Sequence, residues 1–295
     1  MENSKGTADS HITSTKHIPI SQIQVLSQEI DDEHGYYRIR AGNRVHFVKI
    51  DVNAYDEETM RVPYYLIRKL PNFPDSDWIK MRITRSVNGS LSSSISFEPL
   101  PGIWAVWHPR QIDILSLKRT VYYGPSISEV MFEGRPAVLK IARWEWEIPH
   151  RHTETAVYRD LTQRQDKNDP VIPEFLGHVT ENGRVMGILL EKIEGDFAYL
   201  KDLEACTRVL SKIHAMGVIH GDPNRYNFII NRSTASIRMI DFEHSWNFTE
   251  ADSREELESL PKELVEDTGR GLRTRRFNIP EFDPDRKPCA VIMRE

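Results

Sequence analysis

The stretch Val218-Ile219-His220-Gly221-Asp222-Pro223-Asn224-Arg225-Tyr226-Asn227-Phe228-Ile229-Ile230 decides the reading of this chain. Upstream of it, Leu200, Leu203, Cys206, Val209, Leu210 and Ile213 recur at helical spacing, and Gly217 suits the end of that helix. Downstream, residues 228–230 and 237–240 read as short apolar strands around residues 231–236. A hairpin returns its two ends to one place. Asn227 and Asp241 flank this hairpin, so they are expected side by side, with Asp222 on the loop nearby. Two carboxylates and an amide oxygen suit a hard cation such as Mg²⁺, which prefers oxygen ligands and phosphate. A carboxylate not spent on the metal can act as a base.

Working outward, residues 36–40 and 45–50 read as a hairpin around Ala41-Gly42-Asn43-Arg44. A second hairpin is expected across Asn88-Gly89, between residues 78–84 and 91–97. Residues 64–70 fit helix or strand. Strands are expected at 112–117, 127–132 and 137–142, and a hairpin spans Asn182-Gly183. A helix is expected over 153–165 with Thr153 as its cap, and an acidic helix follows residue 250, with Pro261 opening a further one. This pattern gives an α+β chain in four parts. Residues 1–17 form a polar tail, and 18–110 a β-rich N-terminal extension. Residues 111–195 carry the next set of strands, and 196–295 the mainly helical remainder.

Composition narrows the function classes. The 295 residues carry 39 Lys+Arg against 44 Asp+Glu, a net charge of −5. That mild acidity argues against nucleic acid and against anionic membrane surfaces as partners. No apolar run approaches the roughly 20 residues of a membrane span. Two cysteines, Cys206 and Cys289, cannot make a disulfide framework, so a reducing, cytoplasmic setting is expected. No paired His/Cys spacing suggests zinc, and His152 and His214 read as structural.

His220-Gly221-Asp222…Asn227 followed by Asp241-Phe242-Glu243 resembles the catalytic loop and metal motif of the protein-kinase-like phosphotransferase superfamily. The glycine before Asp222 and the Asp-Phe-Glu spelling are closer to aminoglycoside and choline/ethanolamine kinases. The chain resembles fungal kinase-like proteins related to aminoglycoside phosphotransferases, over about residues 112–245. The resemblance implies a two-lobed fold with an antiparallel-sheet N-lobe and a short helical C-lobe. It also implies an ATP- and Mg²⁺-dependent transfer of phosphate to a hydroxyl acceptor, a small molecule before a protein Ser/Thr. The C-lobe is short, because 295 − 241 = 54 residues follow Asp241.

The same resemblance distributes roles. Asp222 accepts the acceptor's proton, a step typically worth ~10²–10⁴-fold. Asn227 and Asp241 hold Mg²⁺ and complete the catalytic set. Lys140, in Pro136-Ala137-Val138-Leu139-Lys140, holds the nucleotide phosphates. Glu154, 154 − 140 = 14 positions on, orients it, with Glu145 and Glu147 as rivals. Gly124 and Val130 belong to a phosphate-covering loop with one glycine instead of three. Glu191 and Ile193 present backbone groups to adenine. Glu243 adds a carboxylate nearby, and His220 supports the loop through its backbone. Arg270, Arg273, Arg275 and Arg276 are expected to pair with the acidic helix before them. The single-glycine loop and the short C-lobe keep a nucleotide-binding pseudokinase open as the alternative. A protein that works through its N-terminal extension alone is a third reading.

Overall fold

In the first part of the chain, apolar residues at every second position build a sheet, and a pair of short helices covers its core. A computed structural model of the protein describes residues 16–267 and the backbone of 277–278. The molecule is α+β and falls into two units, residues 16–99 and residues 100–267 with 277–278. The expected tail lies mostly outside the described residues, as do the arginines at 270–276 and Cys289.

The first unit holds β1 (Ile23–Ile30), β2 (His34–Ala41), β3 (Arg44–Asp51), α1 (Glu57–Arg61), α2 (Pro63–Lys69), β4 (Lys80–Arg85) and β5 (Leu91–Ser96). The sheet runs in that strand order and is antiparallel except for β3–β4. A parallel pair needs a crossover, and α1 and α2 supply it. Asp56 caps α1 by accepting from the Thr59 N–H (2.8 Å), and Pro63 opens α2. That settles residues 64–69 as helix, with Leu70 extended just after it. Tyr37, Ile39, Ile50, Leu66, Phe73, Trp78 and Ile83 form the buried core. Both expected hairpins are present, and Gly89 takes φ 85° in the turn between β4 and β5.

The second unit begins earlier than the expected border at 110. Its first residues pack within it: the Ile103 N–H donates to the Val185 carbonyl (2.8 Å), and Ile103 and Ala105 join Ala142, Ile148 and Val185 in one cluster. It then holds β6 (Gln111–Asp113), β7 (Lys118–Gly124), β8 (Ile127–Phe132), β9 (Arg135–Ile141), α3 (Ile148–Arg164), β10 (Phe175–Glu181) and β11 (Arg184–Glu191). With β17 (Phe277–Asn278), these strands make one sheet in the order β17-β7-β8-β9-β11-β10-β6. β12 (Asp196–Phe197), α4 (Leu203–Ala215), β13 (Val218–Ile219), β14 (Phe228–Asn231), β15 (Ser236–Met239), β16 (Trp246–Asn247) and α5 (Glu250–Glu263) follow. α4 buries Cys206, Val209, Leu210 and Ile213 of the apolar stripe read from sequence, whereas Leu200 stands exposed in the 3₁₀ turn before the helix.

Three local expectations change. The strand expected at 112–117 is three residues of β6 followed by a 3₁₀ turn, Ile114–Ser116, capped by Asp113. Helix α3 starts at Ile148, so Thr153 lies inside it and caps nothing. Pro149 in the first turn presets the helical φ there. Pro261 lies inside α5 instead of opening another helix. It stands in the last turn and has no N–H to donate to the Leu257 carbonyl, and α5 ends two residues on, at Glu263. Among the described residues, no helix is long and apolar enough to cross a membrane.

Candidate functional site

Within the second unit, β7–β9, the middle of α3, the end of β11 and the β14–β15 hairpin line a cavity of about 310 Å³. Lys140, Glu154, Glu191, Ile193, Asn227 and Asp241 line it, six of the nine residues proposed from sequence. The hairpin brings the backbone at two of them together. Phe228 pairs with Met239, and the Ile240 N–H donates to the Asn227 carbonyl (2.9 Å). Residues 227 and 241 therefore leave one end of one hairpin.

Strand parity decides Lys140. On β9, Ala137, Leu139 and Ile141 enter the sheet's core, so Val138 and Lys140 face the cavity. The Lys140 Nζ donates to Glu154 Oε1 (2.5 Å) and to Asp241 Oδ1 (2.6 Å). Burial pushes its pKa down to about 8, and the Asp241 carboxylate pulls the other way. The two carboxylates favour the charged ammonium against that burial. Glu154 is the partner, and its rival Glu147 is engaged with Arg143 through its carboxylate (2.5 Å).

Two further charged groups complete the cluster. Arg151 lies on α3 one turn before Glu154 and pairs with both Glu154 and Glu243, the latter at 3.5 Å. Carboxylate oxygens of Glu154, Asp241 and Glu243 fall within 4.8 Å of one another. Three carboxylates facing two cations leave one net negative charge. Sequence reasoning missed Arg151. A signal existed, because Ile148, Arg151, Glu154, Thr155, Tyr158 and Leu161 make one buried helical stripe. Charged residues on such a stripe are costly unless paired.

Backbone geometry holds the loop. Asp241 adopts the left-handed conformation, φ 71° and ψ 61°, which is uncommon for any residue but glycine. Gly221 takes φ 84°, and a Cβ there would stand 2.1 Å from the His244 carbonyl oxygen. No side chain fits at that position. His220 is fully buried, its Nε2 donates to the Ile240 carbonyl (3.0 Å), and its Nδ1 accepts from the Asp222 N–H (3.2 Å). Burial pushes the His220 pKa down, consistent with that neutral tautomer. His220 therefore supports the loop through its ring as well as its backbone.

Glu256 on α5 is the anchor that sequence reasoning did not find. Its carboxylate accepts from the N–H groups of Gly221 (2.6 Å) and His220 (3.2 Å) and from His214 Nε2 (2.7 Å). The Ser253 hydroxyl donates to His214 Nδ1 (2.8 Å). Burial works to raise the Glu256 pKa, but these donors hold it below the usual carboxylate range. α5 also carries Glu250, Glu255, Glu258 and Glu263, so nothing local marks Glu256.

Asp222 does not line the cavity, but it is tied to the residues that do. Its backbone carbonyl accepts from Asn227 Nδ2 (2.9 Å), and its Oδ2 accepts from Asn224 Nδ2 (2.9 Å). Gly124 and Val130 are not in the lining either. Val130 enters the sheet's core beside Ala137 and Leu139, and Ile127 and Tyr123 face the cavity in their place. A one-residue step along a strand reverses the face, and Ile127 pairs with Lys140 across β8–β9. At the far end, Glu191 accepts from Arg238 (2.9 Å), and Lys192 bridges Glu129 (2.9 Å) and Glu194 (3.1 Å). Trp107 packs against Phe175 and donates to the Thr155 carbonyl (3.2 Å), a structural role. Trp104 is exposed and stacked on His152.

Comparison with models of known protein families and with curated proteins finds no match.

Proposed function

We propose that the second unit is a two-lobed, protein-kinase-like phosphotransferase that uses ATP and Mg²⁺ and phosphorylates a hydroxyl acceptor. One observation carries the reading: a buried lysine is shared between Glu154 and Asp241 in a cavity that Asn227 also lines. An ammonium placed this way is a point charge for phosphate at the wall of a cavity. The opposite end of the cavity, from Leu190 to Gly195, offers a mixed polar and apolar lining suited to a base.

The residues fit a divalent cation. The donor set is oxygen: Asp241, and the Oδ1 of Asn227, whose Nδ2 is committed to the Asp222 carbonyl. When bound, the ion supplies charge neutralisation for the phosphates. Lys140 holds the phosphates, and Glu154, itself paired with Arg151, keeps it in place. Asp222 takes the acceptor's hydroxyl proton as the new oxygen–phosphorus bond forms. The bond from the γ-phosphorus to the bridging oxygen breaks, and ADP leaves. Asn224 holds the Asp222 carboxylate in position for this.

The test is ATP turnover and transfer of labelled phosphate into a cell extract, separated into protein and small-molecule fractions. Label is expected among small molecules, and Asp222→Ala is expected to abolish it. Turnover that survives Asp222→Ala unchanged would sink the proposal. A pseudokinase is the second reading, favoured by Asp222 and Gly124 both lying outside the cavity lining. It predicts stabilisation by Mg·ATP without transfer to any acceptor.

A further inference from the structure

Tyr158 lies one helical turn beyond Glu154 on α3, so the two side chains leave the same face. Its ring is fixed by packing. It is 0% exposed, edge-on to Phe242 at 5.4 Å and 6.1 Å from Phe175. The side chain lines the cavity, yet its hydroxyl has no hydrogen-bond partner among the described residues. A buried hydroxyl without a partner is destabilising. Phenylalanine would make the same ring contacts without that cost. The hydroxyl therefore marks a place where a polar atom arrives with a ligand.

The surroundings say which end of the cavity it serves. Glu154, one turn back on the same face, holds the Lys140 ammonium, and the Tyr158 ring packs on Phe242, the residue that follows Asp241. Burial first, and the Asp241 carboxylate second, hold the Tyr158 pKa above the ordinary tyrosine value. A tyrosine hydroxyl carries its proton at neutral pH in any case, so it acts as a donor. The three carboxylates within 4.8 Å of one another lie at this same end.

We propose that Tyr158 contacts the ligand of this cavity, its hydroxyl donating a hydrogen bond to an oxygen of a bound phosphate or of a hydrated divalent cation beside Lys140 and Asp241. The inference rests on the phosphotransferase reading and adds a ligand-contacting residue to it. Phosphate and hydrated cation share the same chemistry, an oxygen acceptor, and the probes separate them.

The experiment compares the full chain with Tyr158→Phe by calorimetry and thermal shift, using MgCl₂ alone, Mg·ATP, and adenosine. Tyr158→Phe is expected to weaken Mg·ATP about tenfold, the worth of one charge-assisted hydrogen bond. Adenosine binding is expected to be unchanged, and the melting temperature without ligand equal or higher. A matching loss with MgCl₂ alone assigns the contact to the hydrated cation, and a loss confined to Mg·ATP assigns it to phosphate. Equal Mg·ATP affinity in both proteins overturns this inference and leaves the phosphotransferase reading standing. Weakened adenosine binding with a lowered melting temperature overturns it too, because the hydroxyl would then be structural. A wild-type chain that binds no Mg·ATP overturns both.

Discussion

Glu256→Gln changes one oxygen of the buried carboxylate to an amide nitrogen. Glu256 Oε1 accepts from Gly221, and Oε2 accepts from His220 and His214. Whichever way the amide turns, its NH₂ faces at least one donor, so at least one buried N–H loses its acceptor. A hydrogen bond to a charged group contributes about 1.5–3 kcal/mol, and stranding its donor costs about 1–3 kcal/mol. The side chain is mostly buried, so solvent offers little compensation. We expect a loss of about 3 kcal/mol. The assay is urea unfolding at pH 7, read as a lower midpoint at unchanged slope. Exposed Glu255→Gln on the same helix is the control and should change stability by less than about 0.5 kcal/mol. The carboxylate's folded pKa is depressed, so its contribution is complete above the ordinary glutamate pKa. It fades as pH falls through the folded value, and wild type and variant should converge there. A Glu256→Gln chain as stable as the Glu255→Gln control would refute the anchoring argument.

Gly221→Ala combines an unfavourable φ, costing about 1–2 kcal/mol, with a 2.1 Å approach to backbone. Turnover should fall well below wild type, and retained activity would show that the loop tolerates a side chain. Val130→Ala is expected to cost about 2 kcal/mol of stability and leave nucleotide affinity alone, whereas Ile127→Ala should do the reverse; a joint denaturation and binding series separates them. His46 is buried against Trp78, its Nδ1 donates to the Trp78 carbonyl (2.7 Å), and burial lowers its pKa to about 4. The folded first unit then binds fewer protons than the unfolded chain between pH 6.5 and 4. Its stability is complete above that window and falls by up to about 3 kcal/mol across it. Denaturation of His46→Phe should show a flatter slope over the same range, and an unchanged slope would remove His46 as the cause.

Much of the fold was legible because its signals are local. The turns at Asn88-Gly89 and Asn182-Gly183, and the α4 stripe, depend on neighbours in the chain. Missed features share the opposite property. Thr153 looked like a cap because the helical start at Ile148 carries no Ser, Thr, Asp or Asn before it. Val130 follows Gly124 at the spacing of a phosphate-covering loop, but the register across β8–β9 sets Ile127 opposite Lys140 and turns Val130 into the core. Arg151 and Tyr158 could have been found by extending the helical stripe from Glu154 by three residues back and four forward.

The sequence by itself determined the order and spacing of Lys140, Glu154, Asp222, Asn227 and Asp241, and the hairpin that returns residue 241 to residue 227. Spacing on one element is enough for that, because hydrogen-bonded turns close over short distances. Tertiary structure alone decided which of five glutamates on α5 turns inward to hold Gly221. It also decided that Lys140 is shared by two carboxylates, and that Tyr158 keeps a hydroxyl beside them. Burial and charge pairing arise between elements far apart in the chain, and a carboxylate's role depends on the donors that the fold brings to it.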